Sequence, residues 1–561
     1  MRRERRGNAR LVLIAGLALG AVAAWAGTGP RTMIRVDQLG YRPGDPKVAL
    51  VAAGRGTFNV RPSAGGPAAF EGTASLPAAP DPASGDRVIV LDFTALRTPG
   101  EYVVTMPDGL VSPPFQVADG VYRDALQTLV HSFTYQRCGV PITDGSPFAR
   151  PACHLEDARE WGQSGPGPRR DVTGGWHDAG DYGKYVPPAG ITLWHLGMIQ
   201  ALGRSVISAA TPLPGGASLL EEMRWELDWL LKMQRDDGGV HHKVTPARWT
   251  GDRAPQDDHE PRYLHAVSSA ATADMAAATA QAARLFEPTD PAYAQRLREG
   301  AEAAWRWLER HPAIVPPGGF KDPPGHEDGG GAYDDQDDRD ERFWAAAELW
   351  CTTGDARYRA RVLEGLRQWS PFGYGASWRQ VQDLAYFTLL DPAGPLDPAS
   401  RASLLGALSA RARDLAGAAK TGYRVALEPK DYYWGSNGLL LERAVTLLVA
   451  SRVSGRAEYR GAGLDQLHYI LGRNTLGKSF VTGLGSDPPR HPYHQASLTH
   501  PRHLVVPGLL VGGPNARGAG VGGPWPARAY RDEDRLYGVN EPAIYWTAAL
   551  AHALALAQAA P

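Results

Sequence analysis

The chain has 561 residues, of which 43% are hydrophobic and 21% are charged, and its formal net charge at pH 7 is −1. A chain of this length buries a large core and has room for more than one domain. The balanced charge gives no electrostatic basis for binding nucleic acid or an anionic membrane surface, and no sequence feature indicates an obligate protein partner.

The N-terminus has the pattern of an export signal. Five arginines between Arg2 and Arg10 precede the apolar run LVLIAGLALGAVAAWAG, which contains the A-x-A triplet of residues 24–26. This pattern predicts a signal peptide over residues 1–26 and a mature protein that is secreted or located in the periplasm or cell envelope. The run is nearly long enough to span a bilayer, so an uncleaved membrane anchor is the alternative.

Residues 32–117 predict a small β domain. Short strand-like runs such as KVALVA, TFNVRP, RVIVLDF and EYVVTM alternate with turns rich in Gly, Pro and Asp. About seven short strands within fewer than a hundred residues are typical of a β-sandwich.

From residue 120 to 560 the period changes to that of amphipathic helices, with little convincing strand. Roughly a dozen helices are expected, which fits a toroid of paired helices or an α-solenoid. The absence of an internal sequence repeat weighs against the solenoid. The long segments 311–340 and 474–535 are expected to form the walls of a cleft. Besides a first helix over YRDALQTLVHSFTYQ, helices are predicted near 190–203, 218–234, 263–285, 292–310, 341–353, 355–368, 400–418, 436–452, 456–472 and 541–558.

The first candidate site is a set of two thiols and two imidazoles: Cys138, Cys153, His154 and His177. This ligand set suits tetrahedral structural zinc. The spacing is loose, so buried thiols with hydrogen-bonded histidines remain an alternative, as does a Cys138–Cys153 disulfide. The third cysteine, Cys351, is expected to be a buried thiol.

The second candidate site pairs two acidic segments. The glycine-rich stretch DVTGGWHDAGDYGKY carries Asp178 and Asp181, which could hold and deprotonate a water molecule. The later stretch YRDEDRLYGVNEPAIYW offers Glu541 among aromatic residues, and an apolar setting would raise its pKa for use as an acid. A solvated turn, a calcium site or a helix-dipole contact would explain the same residues.

Several motifs resemble glycoside hydrolase family 9, an inverting cellulase family with an (α/α)6 barrel. GGWHDAGDYGKYV resembles its signature loop, and YRDEDRLYGVNEPAIYW resembles its C-terminal signature. IRVDQLGYRPGDPKVALV resembles the immunoglobulin-like module that precedes the barrel in one branch. The resemblance implies a mainly α fold in which this β-sandwich precedes an (α/α)6 barrel, with Asp181 as principal base, Asp178 as second water-holding carboxylate and Glu541 as general acid.

The resemblance also implies binding residues, with one departure. The family's middle signature brings a His and an Arg to the sugar, where SFVTGLGSDPPRHPYHQAS has Tyr493 and Gln495. Glutamine lacks the charged fork of arginine, so the subsite contacts differ here. The residues expected to contact the sugar are Trp176, Trp434, Tyr493, His494 and Tyr537, and core packing is the alternative for the two tryptophans.

Two metals follow from the same resemblance. Some family members hold zinc at a set corresponding to Cys138, Cys153, His154 and His177, where it would pin the Asp178 loop to the first helix. Family members also often bind calcium near the acidic run YDDQDDRDERFW, which makes Asp337, Asp340 and Glu341 candidate ligands. Acidic residues at a helix start also favour the helix dipole, so the calcium assignment has an alternative.

The combined prediction is an inverting endo-β-1,4-glucanase that acts on cellulose-like glucans or cello-oligosaccharides. One alternative is an exo-acting β-glucosaminidase or β-glucosidase that trims oligosaccharide ends with the same carboxylates. The other is a non-catalytic sugar-binding protein of the cell envelope, which would have no need of the acid.

Overall fold

The computed structural model describes residues 33–559 except 53–55, 76–78, 163–164, 204–217, 327 and 519. The predicted signal peptide therefore lies outside the described residues. Within the described part, no helix is both long and apolar enough to cross a membrane.

The N-terminal domain is a sandwich of two sheets. Strand order is β1-β3-β6 in one sheet and β2-β8-β7-β4-β5 in the other. Alternating side chains of β4 and β7 point inward, and Phe58, Val60, Tyr102 and Val104 join the core between the sheets. The strands are β1 Ile34–Arg35, β2 Gly40–Tyr41, β3 Val48–Val51, β4 Thr57–Pro62, β5 Phe70–Thr73, β6 Ile89–Asp92, β7 Gly100–Thr105 and β8 Phe115–Val117.

Buried polar contacts join the sandwich to the helical domain. Asp37 accepts a hydrogen bond from Nδ1 of His468 at 2.7 Å, and the Arg460 guanidinium contacts Asp45 with 2.8 Å bonds. These bonds satisfy polar groups at the junction, so the two domains pack directly against each other.

The remaining chain is mainly helical, and local signals explain several helix starts. Ser218 and Glu221 form a capping box at the start of α3, and Asp290 caps α5 just before Pro291. The helices are α1 Arg123–Gln136, α2 Val186–Ala201, α3 Leu219–Met233, α4 Ser269–Phe286, α5 Pro291–Arg310, α6 Arg339–Thr353, α7 Ala356–Gln368, α8 Gln382–Leu389, α9 Pro398–Ala418, α10 Ser436–Ser454, α11 Ala457–Ile470, α12 Gln495–Leu498, α13 Tyr537–Asn540 and α14 Ile544–Gln558.

The helices form an inner and an outer set. The inner helices α2, α4, α6, α8, α10 and α14 are buried over most of their length, and successive members pack as α2–α4–α6–α8 and α10–α14–α2. The outer helices α1, α3, α5, α7, α9 and α11 each pack against an inner one and keep a polar face. Each of these outer helices therefore lies next to an inner one.

Two features of this domain depart from the sequence prediction. A five-stranded sheet of order β10-β9-β13-β12-β11 lies beside the inner helices, where little strand was expected. Its strands are too short to show a period, since none exceeds five residues. Helix α8 was not predicted because it has only eight residues, seven of them buried, and is too short and too enclosed to show an amphipathic pattern. The new strands are β9 Arg159–Gly162, β10 Gly165–Arg169, β11 Lys184–Tyr185, β12 Lys243–Pro246 and β13 Arg262–Leu264.

Candidate active site

A cleft of about 900 Å³ opens at one end of the helical domain. It is lined by the segments that lead into α2, α6 and α8 and by the first turns of α10 and α14. Five inner helices therefore begin at the cleft, and their N-terminal ends direct positive dipole potential toward it. Asp178, Asp181 and Glu541 all line this cleft.

Backbone hydrogen bonds fix the Asp178 loop against the segment that carries Glu541. The N–H of Asp178 donates to the Gly183 carbonyl at 2.9 Å, and the Asp178 carbonyl accepts from Ile544 N–H at 2.9 Å. The N–H of Gly180 points at Oε1 of Glu541, 3.4 Å away. A Cβ at Gly180 would lie 2.1 Å from the Tyr493 carbonyl oxygen, so glycine is required for this close approach.

Asp178 is the most enclosed of the three acids, with 1% of its surface exposed. The Tyr333 hydroxyl donates to its Oδ2 at 2.5 Å. Burial, with a smaller contribution from the negative charge of Asp181, raises the pKa of Asp178 to about 8. This side chain therefore holds a proton at neutral pH in the free protein.

Asp181 has a different environment and is partly exposed in the cleft. Desolvation raises its pKa, but the charges of Arg262 and Lys243 oppose that effect. The Tyr185 hydroxyl donates to Oδ2 of Asp181 at 3.4 Å. A Cβ at Gly330 would meet both this hydroxyl and this carboxylate, so glycine leaves the room that Asp181 needs. Asp181 is therefore the acid whose ionised form nearby cations favour.

Glu541 is partly exposed at the opposite side of the same loop. Desolvation raises its pKa well above the usual glutamate value, and the charges of Asp181 and Asp178 raise it further. The N–H contact from Gly180 opposes this shift only weakly. This environment favours the protonated form of Glu541, which can donate its proton.

Aromatic side chains form a continuous rim on the cleft. Trp434 and Tyr537 are 47% and 53% exposed, with ring centres 5.5 Å apart. Tyr493 lies 5.8 Å from Tyr537 and 5.8 Å from Trp249 by the same measure. Exposed rings in a groove bind the apolar faces of sugars. The rim therefore contains three of the residues that the sequence predicts to contact the sugar, namely Trp434, Tyr493 and Tyr537. It also contains Trp249, which was not predicted.

Two predicted sugar contacts are wrong. Trp176 is 1% exposed, packs against Phe133, and donates its indole N–H to Glu222 at 3.0 Å. His494 is also buried, with hydrogen bonds to Gln136 and Ser497. Both side chains point into the protein interior because their polar atoms have partners there.

Gln495, the residue that departs from the family signature, lies behind the Asp178 loop. Its side chain is buried, and its backbone N–H donates to the Gly180 carbonyl at 2.8 Å, so residue 495 supports the Asp178 loop from behind. Residues that the sequence analysis missed lie on the long segments 311–340 and 370–380, notably Tyr333 and Trp378. Their only sequence signal was that a long segment of this kind tends to carry function.

The four predicted zinc ligands come together in the structure. One ligand atom from each of Cys138, Cys153, His154 and His177 lies within 4.8 Å of all the others, and both cysteines are free thiols. Sγ of Cys138 is 3.6 Å from Nδ1 of His154, and Sγ of Cys153 is 3.9 Å from Nε2 of His177. Tetrahedral zinc separates sulfur and nitrogen ligands by about 3.5 Å, so the donor set fits this ion.

A carboxylate completes the surroundings of this cluster. Nε2 of His154 lies 3.4 Å from Oδ2 of Asp258, and both side chains are buried. A carboxylate on the second ring nitrogen orients a histidine for metal binding. His177 directly precedes Asp178, so an ion in this cluster would fix one end of the Asp178 loop.

The acidic run before α6 is divided by the structure. Asp337 is bonded to the Arg339 guanidinium at 2.7 Å and lies apart from the buried acids. Asp340 and Glu341 are buried near Asp335 and near Asp274 of α4. Burial and these neighbouring charges raise the pKa of Glu341 well above its usual range. This crowding of carboxyl groups is relieved by protons or by a hard cation.

Comparisons with known proteins cover nearly the whole chain. Residues 122–554 match the model of Glycosyl hydrolase family 9, and residues 30–109 match that of the Cellulase N-terminal ig-like domain. Endoglucanase D of Acetivibrio thermocellus is 34% identical over 538 residues, which span 93% of this chain and 83% of that protein.

Two solved structures are also similar. A metagenome-derived glycoside hydrolase family 9 endoglucanase superposes with a TM-score of 0.87 at 37% identity, covering 94% of this chain and 99% of the other. A structure described as a Zn-binding triple mutant of a family 9 endoglucanase gives a TM-score of 0.85 at 37% identity, covering 92% and 99%.

Proposed function

The chain belongs to glycosyl hydrolase family 9, and from this premise we propose that it is an endo-β-1,4-glucanase that inverts the anomeric configuration. The observation that carries the proposal is the contrast among three acids in one cleft. Two cations favour the ionised form of Asp181, whereas desolvation raises the pKa of Glu541 and so favours its protonated form. One cleft thus offers a base and an acid at the same pH.

The proposed reaction is a single displacement. Asp181 takes a proton from water as the water oxygen bonds to the anomeric carbon. The bond from that carbon to the glycosidic oxygen breaks, and the oxygen receives the proton of Glu541. Asp178, held by the Tyr333 hydroxyl, helps to orient the water. Attack from the face opposite the leaving group inverts the configuration.

The rim of Trp249, Tyr493, Tyr537 and Trp434 supports binding of several sugars in a row. Binding across a long cleft favours cleavage within a chain. The test is hydrolysis of a soluble β-1,4-glucan, during which both the viscosity of the solution and the number of reducing ends are measured over time. Endo action lowers viscosity early, when few ends have formed, whereas release of terminal glucose or glucosamine without an early fall in viscosity would favour the exo-acting alternative.

We also propose that the two sets of helices form an (α/α)6 barrel. The support is the succession of inner helices α2–α4–α6–α8 and α10–α14–α2, with outer helices packed against five of them among the described residues. A crystal structure in which the inner helices do not close into a ring would contradict this architecture.

For the metals, we propose zinc at Cys138, Cys153, His154 and His177, with a structural role only. A bound zinc would supply rigidity to the base of the catalytic loop. Elemental analysis of the purified protein should find about one zinc per chain, in line with four protein ligands filling a tetrahedral site. Absence of zinc together with a mapped Cys138–Cys153 disulfide would overturn this assignment. Calcium at Asp340 and Glu341 is a separate proposal, checked in the same measurement.

We propose finally that residues 1–26 direct export. The support is the basic segment, apolar run and A-x-A site in the sequence. N-terminal sequencing of protein produced with its leader should begin near residue 27 if the segment is cleaved, and at the original start if it is retained as an anchor.

A further inference from the structure

A fourth carboxylate lines the cleft and has no role in the reaction described above. Glu442 lies in the second turn of α10, is 3% exposed, and belongs to the cleft lining. Tyr545 lies near both Glu442 and Asp178, so this carboxylate borders the part of the cleft next to the reacting acids. A Cβ at Gly375 would lie 3.1 Å from Glu442 Cβ, so the facing loop approaches it closely.

Two buried histidines hold Glu442 in position. Nε2 of His195, on α2, is 2.9 Å from Oε1 of Glu442. Nδ1 of His195 is in turn 3.2 Å from Nδ1 of His552, on α14. The chain of contacts crosses three inner helices, and both imidazoles are buried. His552 holds His195, and His195 in turn fixes the orientation of the Glu442 carboxylate, just as outer hydrogen-bond partners fix the orientation of metal-bound histidines.

A purely structural role explains this arrangement poorly. An enclosed carboxylate costs stability relative to apolar packing of the same volume, even with a hydrogen-bonded partner. Its neighbours Leu439, Leu440 and Val445 are apolar and buried, and the buried Arg443 is paired with Asp431 at 2.7 Å. A charged group kept at the cleft surface under these conditions is accounted for by contact with a ligand.

The charge of the cleft defines what that ligand can be. Among the described lining residues the acids are Asp178, Asp181, Asp328, Asp334, Glu442 and Glu541. The basic side chain in this described set is Arg379, which is paired with Asp334 at 3.1 Å. The cleft therefore offers carboxyl oxygens as hydrogen-bond acceptors to sugar hydroxyls, and those of its acids that are ionised and unpaired repel anionic groups.

We propose that Glu442 is a substrate-binding residue that accepts hydrogen bonds from hydroxyls of a sugar beside the cleavage point and disfavours carboxylate-bearing sugars there. His195 and His552 act as positioning residues for this carboxylate. The inference rests on the proposed glucanase function and adds to it a residue that determines the charge preference.

The test compares two soluble derivatives of the same β-1,4-glucan, neutral hydroxyethyl cellulose and anionic carboxymethyl cellulose. Glu442→Gln keeps the shape and can still accept from His195. Loss of a charge-assisted hydrogen bond should lower kcat/KM on the neutral polymer about tenfold. The neutral-to-anionic ratio of kcat/KM should fall as well, because one repulsive charge is gone.

Two further variants serve as controls. The first separates the hydrogen-bond contact of Glu442 from its charge, and the second tests the effect of the net charge of the protein. Glu442→Asp retracts the carboxylate but keeps its charge, so activity on the neutral polymer should fall while the wild-type ratio is retained or rises. Glu364→Gln removes a negative charge from the 58% exposed pair with Arg361 on α7, so both quantities should stay unchanged.

A folded Glu442→Gln enzyme with wild-type activity on the neutral polymer and an unchanged ratio would overturn the inference. A lower melting temperature with unchanged ratio would also overturn it, because a structural role predicts that result. Wild-type protein that hydrolyses neither polymer would refute the proposed function, and the inference with it.

Discussion

Replacement of Glu541 by glutamine tests the assignment of the acid. Gln keeps the length and shape of the side chain, and its carbonyl oxygen can still accept from the Gly180 N–H, 3.4 Å from Oε1. The substitution removes the transferable proton and leaves Asp178 and Asp181 in place. Folding should therefore be retained while protonation of the leaving oxygen is lost.

The size of the effect follows from the role of that proton. General acid catalysis contributes about 10²–10⁴-fold, so kcat on cello-oligosaccharides should fall by about this factor. The alkaline limb of the pH–rate profile should also disappear. In the wild type, activity is lost as pH rises through the raised pKa of Glu541, because the acid then gives up its proton. Glutamine has no such titration.

The assay compares cello-oligosaccharides with a cello-oligosaccharide that carries a dinitrophenolate leaving group. That leaving group departs without a proton, so the Glu541→Gln enzyme should retain most of its activity on it. Equal losses on both substrates would refute the role of Glu541 as acid. A wild-type alkaline limb in the variant would refute it too, since another group would then control the pH dependence.

Three further predictions follow from other parts of the molecule. Trp434→Ala should raise KM for long cello-oligosaccharides by about fivefold, the value of one aromatic contact, and leave kcat nearly unchanged. A KM that is unchanged for oligosaccharides of every length would show that Trp434 does not belong to the binding rim. Asp178→Asn should raise the melting temperature at pH 8 although it lowers activity. The folded pKa of Asp178 is raised to about 8, so this group favours folding at low pH and loses that contribution between about pH 4 and pH 8. The gain in melting temperature from Asp178→Asn, measured by calorimetry, should therefore vanish near pH 4. A gain that is the same at both pH values would contradict this linkage. Removal of zinc with a strong chelator should lower the melting temperature. Added Zn²⁺ should restore the melting temperature of the wild type but not that of Cys153→Ser. Restoration in both proteins would argue against zinc binding by the cysteine and histidine cluster.

The sequence predicted the helices well because most of them are amphipathic. The prediction for 292–310, for example, is close to α5 over Pro291–Arg310, which keeps a polar outer face. Helix α8 escaped because its eight residues, seven of them buried, are too few to show a helical period, and β9–β13 escaped because their strands are short and irregular. Longer buried helices such as α14 were still predicted.

The candidate site was predictable where chemistry is concentrated in a short motif. Asp178, Asp181 and His177 lie within five residues, and the structure sets Glu541 against the same loop. The orientation of aromatic residues was not readable in this way. Trp176 and Trp434 both lie beside glycines in the sequence, yet one is enclosed and the other is exposed.

Contacts between distant segments explain the rest. Tyr333 reaches Asp178 across 155 residues of sequence, and His195 reaches Glu442 across 247. Within its own segment Glu442 looks like the polar face of an apolar helix. Only the packing of α2, α10 and α14 turns it toward the cleft and gives it histidine partners.

The central claim is that water activated by Asp181 attacks opposite a leaving group protonated by Glu541. Proton NMR of the first sugars released from a β-linked cello-oligosaccharide tests this claim most directly. The new reducing end should appear first as the α anomer and then mutarotate. Initial release of the β anomer would contradict it, because retention requires a covalent intermediate and a nucleophile in place of the base.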